Sequence, residues 1–319
     1  MAIENGKPGP IPETSSSRRQ ALAWMLTAGL SLRAAVAAAD SGAPVRLAIS
    51  ESLVTDVNIN DARAAMVIWL QRMMVDLNVV IEINPKVFDT TLEIVRRART
   101  GQLDAVALNV VEYRQIADFL DPSEVMAEAG TEGEEQYILL AKRNGGIQHV
   151  ADLRGRRLTM LKTPKMCVAS AWISTLLDAG HLGPSDQFFG SVIEDTKVSK
   201  VVLPVFFGQT EACLTSKRSF DTMVELNPQV GKDLTAIASS PAMVVTFYVF
   251  HKNYHGVNRE KFAKVYSNVR ADAAGRQLAT LFQFQALVVR DADCLAPALA
   301  VLSAAEHLRR RPGTASGNG

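Results

Sequence analysis

The stretch Gly101-Gln102-Leu103-Asp104-Ala105 recurs almost letter for letter as Gly208-Gln209-Thr210-Glu211-Ala212. In each copy a helical period runs up to the glycine, and an apolar run follows the acid. Upstream of the first copy, residues 45–50 and 79–83 read as buried strands, closed in the second case by Asn84-Pro85. Between them Ala65, Ile68, Trp69, Met73 and Leu77 recur at helical spacing, predicting a helix over 61–77. A second helix spans 90–100, with Gly101 placed to end it, and a third strand spans 103–108. The order is β-α-β-α-β.

The second half repeats that order. Asp152-Leu153-Arg154-Gly155 makes a turn before a strand at 157–161. Thr163-Pro164 supplies an N-cap and an N1 proline for a helix ending at Gly180. A strand signal lies at 186–192. Val198, Val201, Val202, Val205 and Phe206 then fall at i, i+3, i+4, i+7 and i+8, which predicts a helix in spite of Pro204. Gly208 stops it, a strand follows at 211–214, a helix at 219–226 and a strand at 234–238. Two such units predict two α/β lobes with mainly parallel sheets and right-handed crossovers. An apolar run at 244–250 and helical patterns at 259–271, 274–284 and 296–308 are expected to recross to the first lobe. Lobe one is therefore expected at 45–140 plus 245–308, lobe two at 148–240, and a disordered tail at 309–319.

The first 39 residues are of another kind. Residues 1–17 are rich in Pro, Gly and Ser. Ser17-Arg18-Arg19-Gln20-Ala21-Leu22 then precedes an apolar stretch at 21–32 and an Ala37-Ala38-Ala39 cleavage-like site. A basic region, a short apolar region and small residues describe a cleavable export signal. The paired arginines and Arg33 resemble the twin-arginine type, with the general secretory route also open. A mature start near Asp40 in a bacterial periplasm is expected. The net charge of +1 over 319 residues gives no electrostatic footprint for nucleic acid or an anionic membrane.

Ligands of open parallel sheets gather at the carboxyl ends of strands, where helix N-termini present free N–H groups. This rule nominates the loops 50–58 and 109–113 in lobe one, and 162–170 and 215–219 in lobe two. The candidate ligand-binding residues are Ser50, Glu51, Tyr113, Thr163, Lys165, Met166, Cys167, Thr215 and Ser216. Thr163 and Lys165 combine a hydroxyl, a helix start and an ammonium, a chemistry suited to an anion; a well-capped helix with an exposed lysine is the alternative. Tyr113 is placed to clamp a ligand or to pack in the core.

Asp104 and Glu211 sit at the starts of their strands, opposite the expected cleft, which favours a structural role over acid–base catalysis. The histidines are scattered, and no nucleophile elbow, P-loop or H-E-x-x-H occurs. No enzyme chemistry, metal or cofactor is expected. The three cysteines, Cys167, Cys213 and Cys294, match no zinc or redox spacing. They read as buried hydrophobes, as a Cys167–Cys213 disulfide, or as a reactive thiol.

The Asp152-Leu153-Arg154-Gly155-Arg156-Arg157 turn, the block from Val205 to Leu234 (VFFGQTEACLTSKRSFDTMVELNPQVGKDL) and residues 277–284 together resemble the periplasmic phosphate/phosphite/phosphonate-binding (PhnD-like) solute-binding proteins of ABC transporters. The resemblance covers about 45–305. It implies the two-lobed type II periplasmic-binding-protein (Venus-flytrap) fold, capture of a small anionic ligand by a monomer, and docking on an ABC permease. A membrane sensor is the alternative partner. The family's lobe-one tyrosine corresponds to Tyr113. Where the family carries a Ser-Thr-Ser-type run, this chain has Lys165-Met166-Cys167. The family implies a phosphonate- or phosphate-like ligand; that departure points away from it, to a softer, more apolar pocket in which the lysine pairs with another anion such as a carboxylate or sulfonate.

Overall fold

The run VRLAI forms strand β1 (Val45–Ile49) and is buried along its length except at Arg46. Its alternating side chains enter different cores: Ala48 joins one apolar cluster, while Leu47 and Ile49 join another. A strand covered on both faces is apolar throughout, as parallel strands flanked by helices are. Fully burying a side chain such as Leu47 stabilises the fold by roughly 2 kcal/mol relative to exposing it. The structure is a computed structural model that describes residues 44–84, 86–129, 133–255 and 258–310. The expected export signal and any tail beyond 310 lie outside the described residues.

In the first half β1 is followed by α1 (Ile59–Leu77), β2 (Ile81–Glu82), α2 (Thr91–Arg99), β3 (Ala105–Asn109), α3 (Val110–Ile116) and β4 (Glu124–Glu128). Asn58 caps α1 by accepting from the amides of Asn60 and Asp61, and Asn78 ends it in the left-handed region at φ 51°. Helix α1 buries Met66, Trp69 and Met73. Ile68, expected on that face, is instead 51% exposed. In α2, Thr90 and Glu93 form a reciprocal capping box, which satisfies two otherwise orphaned amides.

The second half continues with β5 (Tyr137–Lys142), β6 (Arg157–Leu161), α4 (Ala169–Ala179), α5 (Ser185–Phe188), β7 (Ser191–Asp195), α6 (Val198–Phe206), β8 (Ala212–Ser216), α7 (Lys217–Leu226), α8 (Pro228–Asp233) and β9 (Leu234–Ser239). The last elements are β10 (Thr246–Phe250), α9 (Arg259–Ser267), α10 (Ala273–Leu281), β11 (Leu287–Asp291) and α11 (Ala296–Arg310). The strand expected at 186–192 is a short helix followed by a strand at 191–195. Thr163-Pro164 opens a single 3-10 turn, Pro164–Met166, and α4 starts only at Ala169.

The strands form two sheets, ordered β11-β4-β10-β3-β1-β2 and β7-β6-β8-β5-β9. In each, two parallel pairs centre on the first strand of a βαβαβ unit, β1 or β6. An antiparallel strand lies beside the third strand of each unit: β10 beside β3, and β5 beside β8. Strand β5 follows a first-sheet strand and β10 follows a second-sheet strand, so the chain crosses twice. The crossings are tied to each other where Glu135 and Met243 exchange backbone hydrogen bonds at 2.8 and 3.0 Å.

This pairing moves two expected boundaries. Strand β5 belongs to the second sheet, so a first lobe ending at 140 would cut through it. Helix α11 packs against α4 of lobe two as well as α3 of lobe one, and Arg114 pairs with Glu306. It does not simply cover the first lobe. Among the described residues no helix is long and apolar enough to cross a membrane.

Candidate ligand-binding site

The repeated stretches are matching structural joints. Gly101 and Gly208 have φ +64° and +74° with open space where a Cβ would sit, the left-handed geometry that glycine adopts at least cost. At the first joint Arg46 of β1 grips Asp104: Nη2 donates to Oδ1 at 2.6 Å, Nε to Oδ2 at 3.0 Å, and Nη1 to the Gly101 carbonyl at 2.6 Å. At the second, Arg157 of β6 makes a single side-chain contact with Glu211, Nε to Oε2 at 3.3 Å, and its Nη2 donates to the Gln209 carbonyl at 2.6 Å. Partial burial would raise the Glu211 carboxyl, but the Arg157 contacts outweigh it and hold it below its ordinary value. The hydrogen bond to Asp104 raises the Arg46 guanidinium further.

At the opposite ends of β1 and β3, the nominated loops of lobe one close on a carboxylate. Glu112 is 5% exposed and takes the third position of α3. Its Oε1 accepts from Ser50 Oγ at 2.6 Å and Thr91 Oγ1 at 2.7 Å. Its Oε2 accepts from Ser52 Oγ at 2.9 Å and the Asn109 amide at 3.2 Å. All four partners donate, so the carboxylate fills the place where hydroxyls and a helix start would otherwise receive an anion.

A cavity with about 1040 Å3 of empty space, part of it open to solvent, is walled by residues of both lobes. Lobe one supplies Ile49, Met66, Ala107, Leu278 and five aromatic rings: Phe247, Tyr248, Tyr266, Phe282 and Phe284. Lobe two supplies Thr163, Pro164 and Lys165. Three carboxylates, Asp56, Glu128 and Glu135, complete the wall. Glu128 ends β4, which runs parallel to β3, so it arrives at the same strand-tip level.

Lys165 crosses from lobe two and is already engaged. Its Nζ lies 3.4 Å from both Glu128 Oε2 and Glu135 Oε1, and donates to the Gln283 carbonyl at 2.8 Å. Arg218, near the start of α7, approaches the same two carboxylates at 3.5 and 3.8 Å. The Gln285 amide donates to Glu128 Oε1 at 3.0 Å. Two cations thus face two buried carboxylates across the lobes and the crossing segment. Asp56 forms no ion pair among the described residues. Burial pushes its carboxyl above the ordinary value, against the pull of Lys165.

Of the residues nominated from sequence, Thr163 and Lys165 line the cavity and the others do not. Lys165 is not the free cation expected for an anion, because the crossing brings Glu128 and Glu135 to it. Ser50 is fully buried and committed to Glu112, whereas Glu51 is exposed. Tyr113 packs edge-to-face on Phe247 with ring centroids 5.3 Å apart. It is a core residue, and burial raises its hydroxyl pKa. Met166 is buried. Ser216 caps α7 through the Ser219 amide at 3.2 Å. Thr215 is fully buried, and its hydroxyl has no hydrogen-bond partner.

Burial pushes the Cys167 thiol up to about 12 and raises those of Cys213 and Cys294 as well. No cysteine is bonded to another, which removes the Cys167–Cys213 disulfide and leaves poorly reactive thiols. Among the described residues no group of three or more His, Cys, Asp or Glu could hold a metal ion.

Asp56, Glu128, Glu135 and the aromatic wall escaped sequence reasoning. Asp56 does lie in a loop that the strand-end rule nominates. Glu128 required recognising the strand EVMAE. Tyr137 holds the lobe-two turn in place: its hydroxyl donates to the Lys165 carbonyl at 2.8 Å and accepts from the Val168 amide at 3.4 Å.

A family model described as "ABC transporter, phosphonate, periplasmic substrate-binding protein" matches residues 55–294. The chain belongs to this family. Members are periplasmic substrate-binding proteins of ABC transporters, and the two sheets joined by two crossings are their two-lobed type II fold. Among solved structures, PhnD1 from Prochlorococcus marinus in complex with methylphosphonate is 14% identical with a TM-score of 0.55, over 83% of this chain and 98% of that one. XAC2383 from Xanthomonas citri bound to ATP is 11% identical with a TM-score of 0.56, over 83% and 98%. Its chloride-bound structure is 13% identical with a TM-score of 0.55, over 84% and 99%. At these identities the likeness is one of fold. No curated protein matches the sequence.

Proposed function

We propose that this chain is an exported receptor that captures a small organic solute between its lobes and delivers it to an ABC permease. The observation that carries this reading is the cavity at the strand tips, walled by residues of both lobes. It lies where ligands of open α/β sheets are expected. Capture works by differential affinity: a solute touching both lobes favours the closed state over the open one, and the permease reads that difference.

The resemblance implies an oxyanion such as a phosphonate, and a bare oxyanion is poorly served here. Glu112 occupies the hydroxyl cluster, and two carboxylates hold Lys165. The apolar and aromatic wall favours a solute with a substantial hydrocarbon part.

A thermal-shift screen of the mature chain against phosphonates, sulfonates, carboxylates, amines and neutral metabolites tests the receptor reading. A solute at a hundred times its Kd stabilises the folded state by about 2.7 kcal/mol, a rise of about 5 °C or more for a chain of this size. At least one solute is expected to do this and to reduce the radius of gyration in solution scattering. No stabilisation by any solute class would contradict the reading.

A further inference from the structure

We infer that the solute this cavity takes is an organic cation with an apolar body, an inference that rests on the receptor reading above. Three independent features converge on it. First, the cation that borders the cavity is already engaged: Lys165 serves Glu128 and Glu135. An incoming oxyanion would have to displace a buried carboxylate from its cation, leaving that carboxylate uncompensated.

Second, the charges on the wall do not balance. Glu128 and Glu135 are matched by Lys165 and Arg218, which leaves Asp56 as surplus negative charge. A cationic ligand supplies the partner that Asp56 lacks among the described residues. Third, the remaining wall is aromatic and aliphatic. Ring faces attract ammonium and guanidinium groups, most strongly where water is excluded, and aromatic rings with a nearby carboxylate are general recognition chemistry for organic ammonium ions. The apolar residues Ile49, Met66 and Leu278 accept the hydrocarbon part.

The test is calorimetric titration of the mature chain with two cations, benzyltrimethylammonium and n-butylammonium, two anions, methylphosphonate and ethanesulfonate, and neutral benzyl alcohol. At least one cation is expected to bind saturably at one molecule per chain, and neither anion is. Asp56→Asn, which keeps the side chain's shape, is expected to weaken the cation about tenfold or more, a loss of about 1.4 kcal/mol, without shifting the unfolding midpoint. Glu128→Gln gives a second carboxylate variant should Asp56→Asn not fold. Saturable binding of methylphosphonate or ethanesulfonate with no binding of either cation would overturn the inference while leaving the receptor reading intact. Equal affinity for benzyltrimethylammonium and benzyl alcohol, or cation binding indifferent to both variants, would also overturn it. If none of the five probes binds, the cation assignment falls, and the broader solute screen decides the receptor reading separately.

Discussion

The bases of the two lobes are near copies, whereas their tips are not. At each base an arginine on the first strand grips the acid that opens the third, beside a left-handed glycine. At the tip of lobe one a buried carboxylate gathers three hydroxyls and an amide. At the tip of lobe two Ser216 caps a helix, Thr215 Oγ1 stays unpartnered, and Lys165 leaves its own lobe to meet Glu128 and Glu135. The backbone joint of a βαβαβ unit demands the same solution twice, and the repeated letters record that demand. The tips face the solute and the partner lobe, where nothing requires symmetry.

The largest expected difference lies at the tips. Glu112→Ala strands four donors, of which Ser50 and the Asn109 amide are buried and Ser52 and Thr91 half-buried, and each lost charge-assisted hydrogen bond is worth about 1.5–3 kcal/mol. A total loss of about 3 kcal/mol or more is expected in urea unfolding. Its lobe-two counterpart, Ser216→Ala, removes a helix cap and should cost about 1 kcal/mol. Equal costs would break the contrast between the tips.

At the bases the same acid sits in unequal surroundings. Asp104 is 13% exposed and accepts from the Arg46 amide at 2.8 Å; Glu211 is 29% exposed, its arginine 53%, and it accepts from the Arg157 amide at the longer distance of 3.3 Å. Asp104→Ala should cost about 2 kcal/mol through its partly buried, charge-assisted bonds, and Glu211→Ala under about 1 kcal/mol, as exposed pairs do. Gly101→Ala and Gly208→Ala should cost the same as each other, about 1 kcal/mol each, because both force a side chain into the left-handed region. Unequal glycine costs would show that the joints are less alike than their geometry.

The last contrast is one of pH dependence and is confined to acid. Burial pushes the Asp121 carboxyl up, but Ser123 and Arg259 prevail and lower it to about 2 in the folded lobe one. A depressed folded value contributes stability that is complete above the unfolded value near pH 4 and is lost as pH falls toward 2. Asp121→Asn should therefore flatten the stability profile between about pH 4 and 2, and leave its shape at neutral pH unchanged.

Much of this fold is legible in local pattern. The 3.6-residue period identified α1, α2 and α6, including α6 with its internal Pro204, and the apolar runs identified β1, β3, β6 and β10. Strand β5 is as apolar as any of these, but which sheet it joins depends on pairing with β8 and β9, far along the chain. The boundary near 140 followed sequence order for that reason. The same non-local pairing hid the charge network: Lys165 reads as a free ammonium until the crossing sets Glu128 and Glu135 beside it. The strand-end position of Tyr113 leaves a ligand clamp and a core residue both open, because its contact with Phe247 comes from the returning β10. The strand-end rule did point to the right level of the molecule, and Thr163, Lys165 and Asp56 all border the cavity it nominates.

The central claim, that solute is held in the cavity at the strand tips, is tested most directly by titrating the best-binding solute into wild type and Ala107→Phe. Ala107 lines the cavity from the middle of the lobe-one sheet, so the added ring fills solute space. The account predicts saturable binding in wild type and a loss of about a hundredfold or more in the variant, near 2.7 kcal/mol, with the unfolding midpoint retained. Unchanged affinity in a folded Ala107→Phe protein would contradict it.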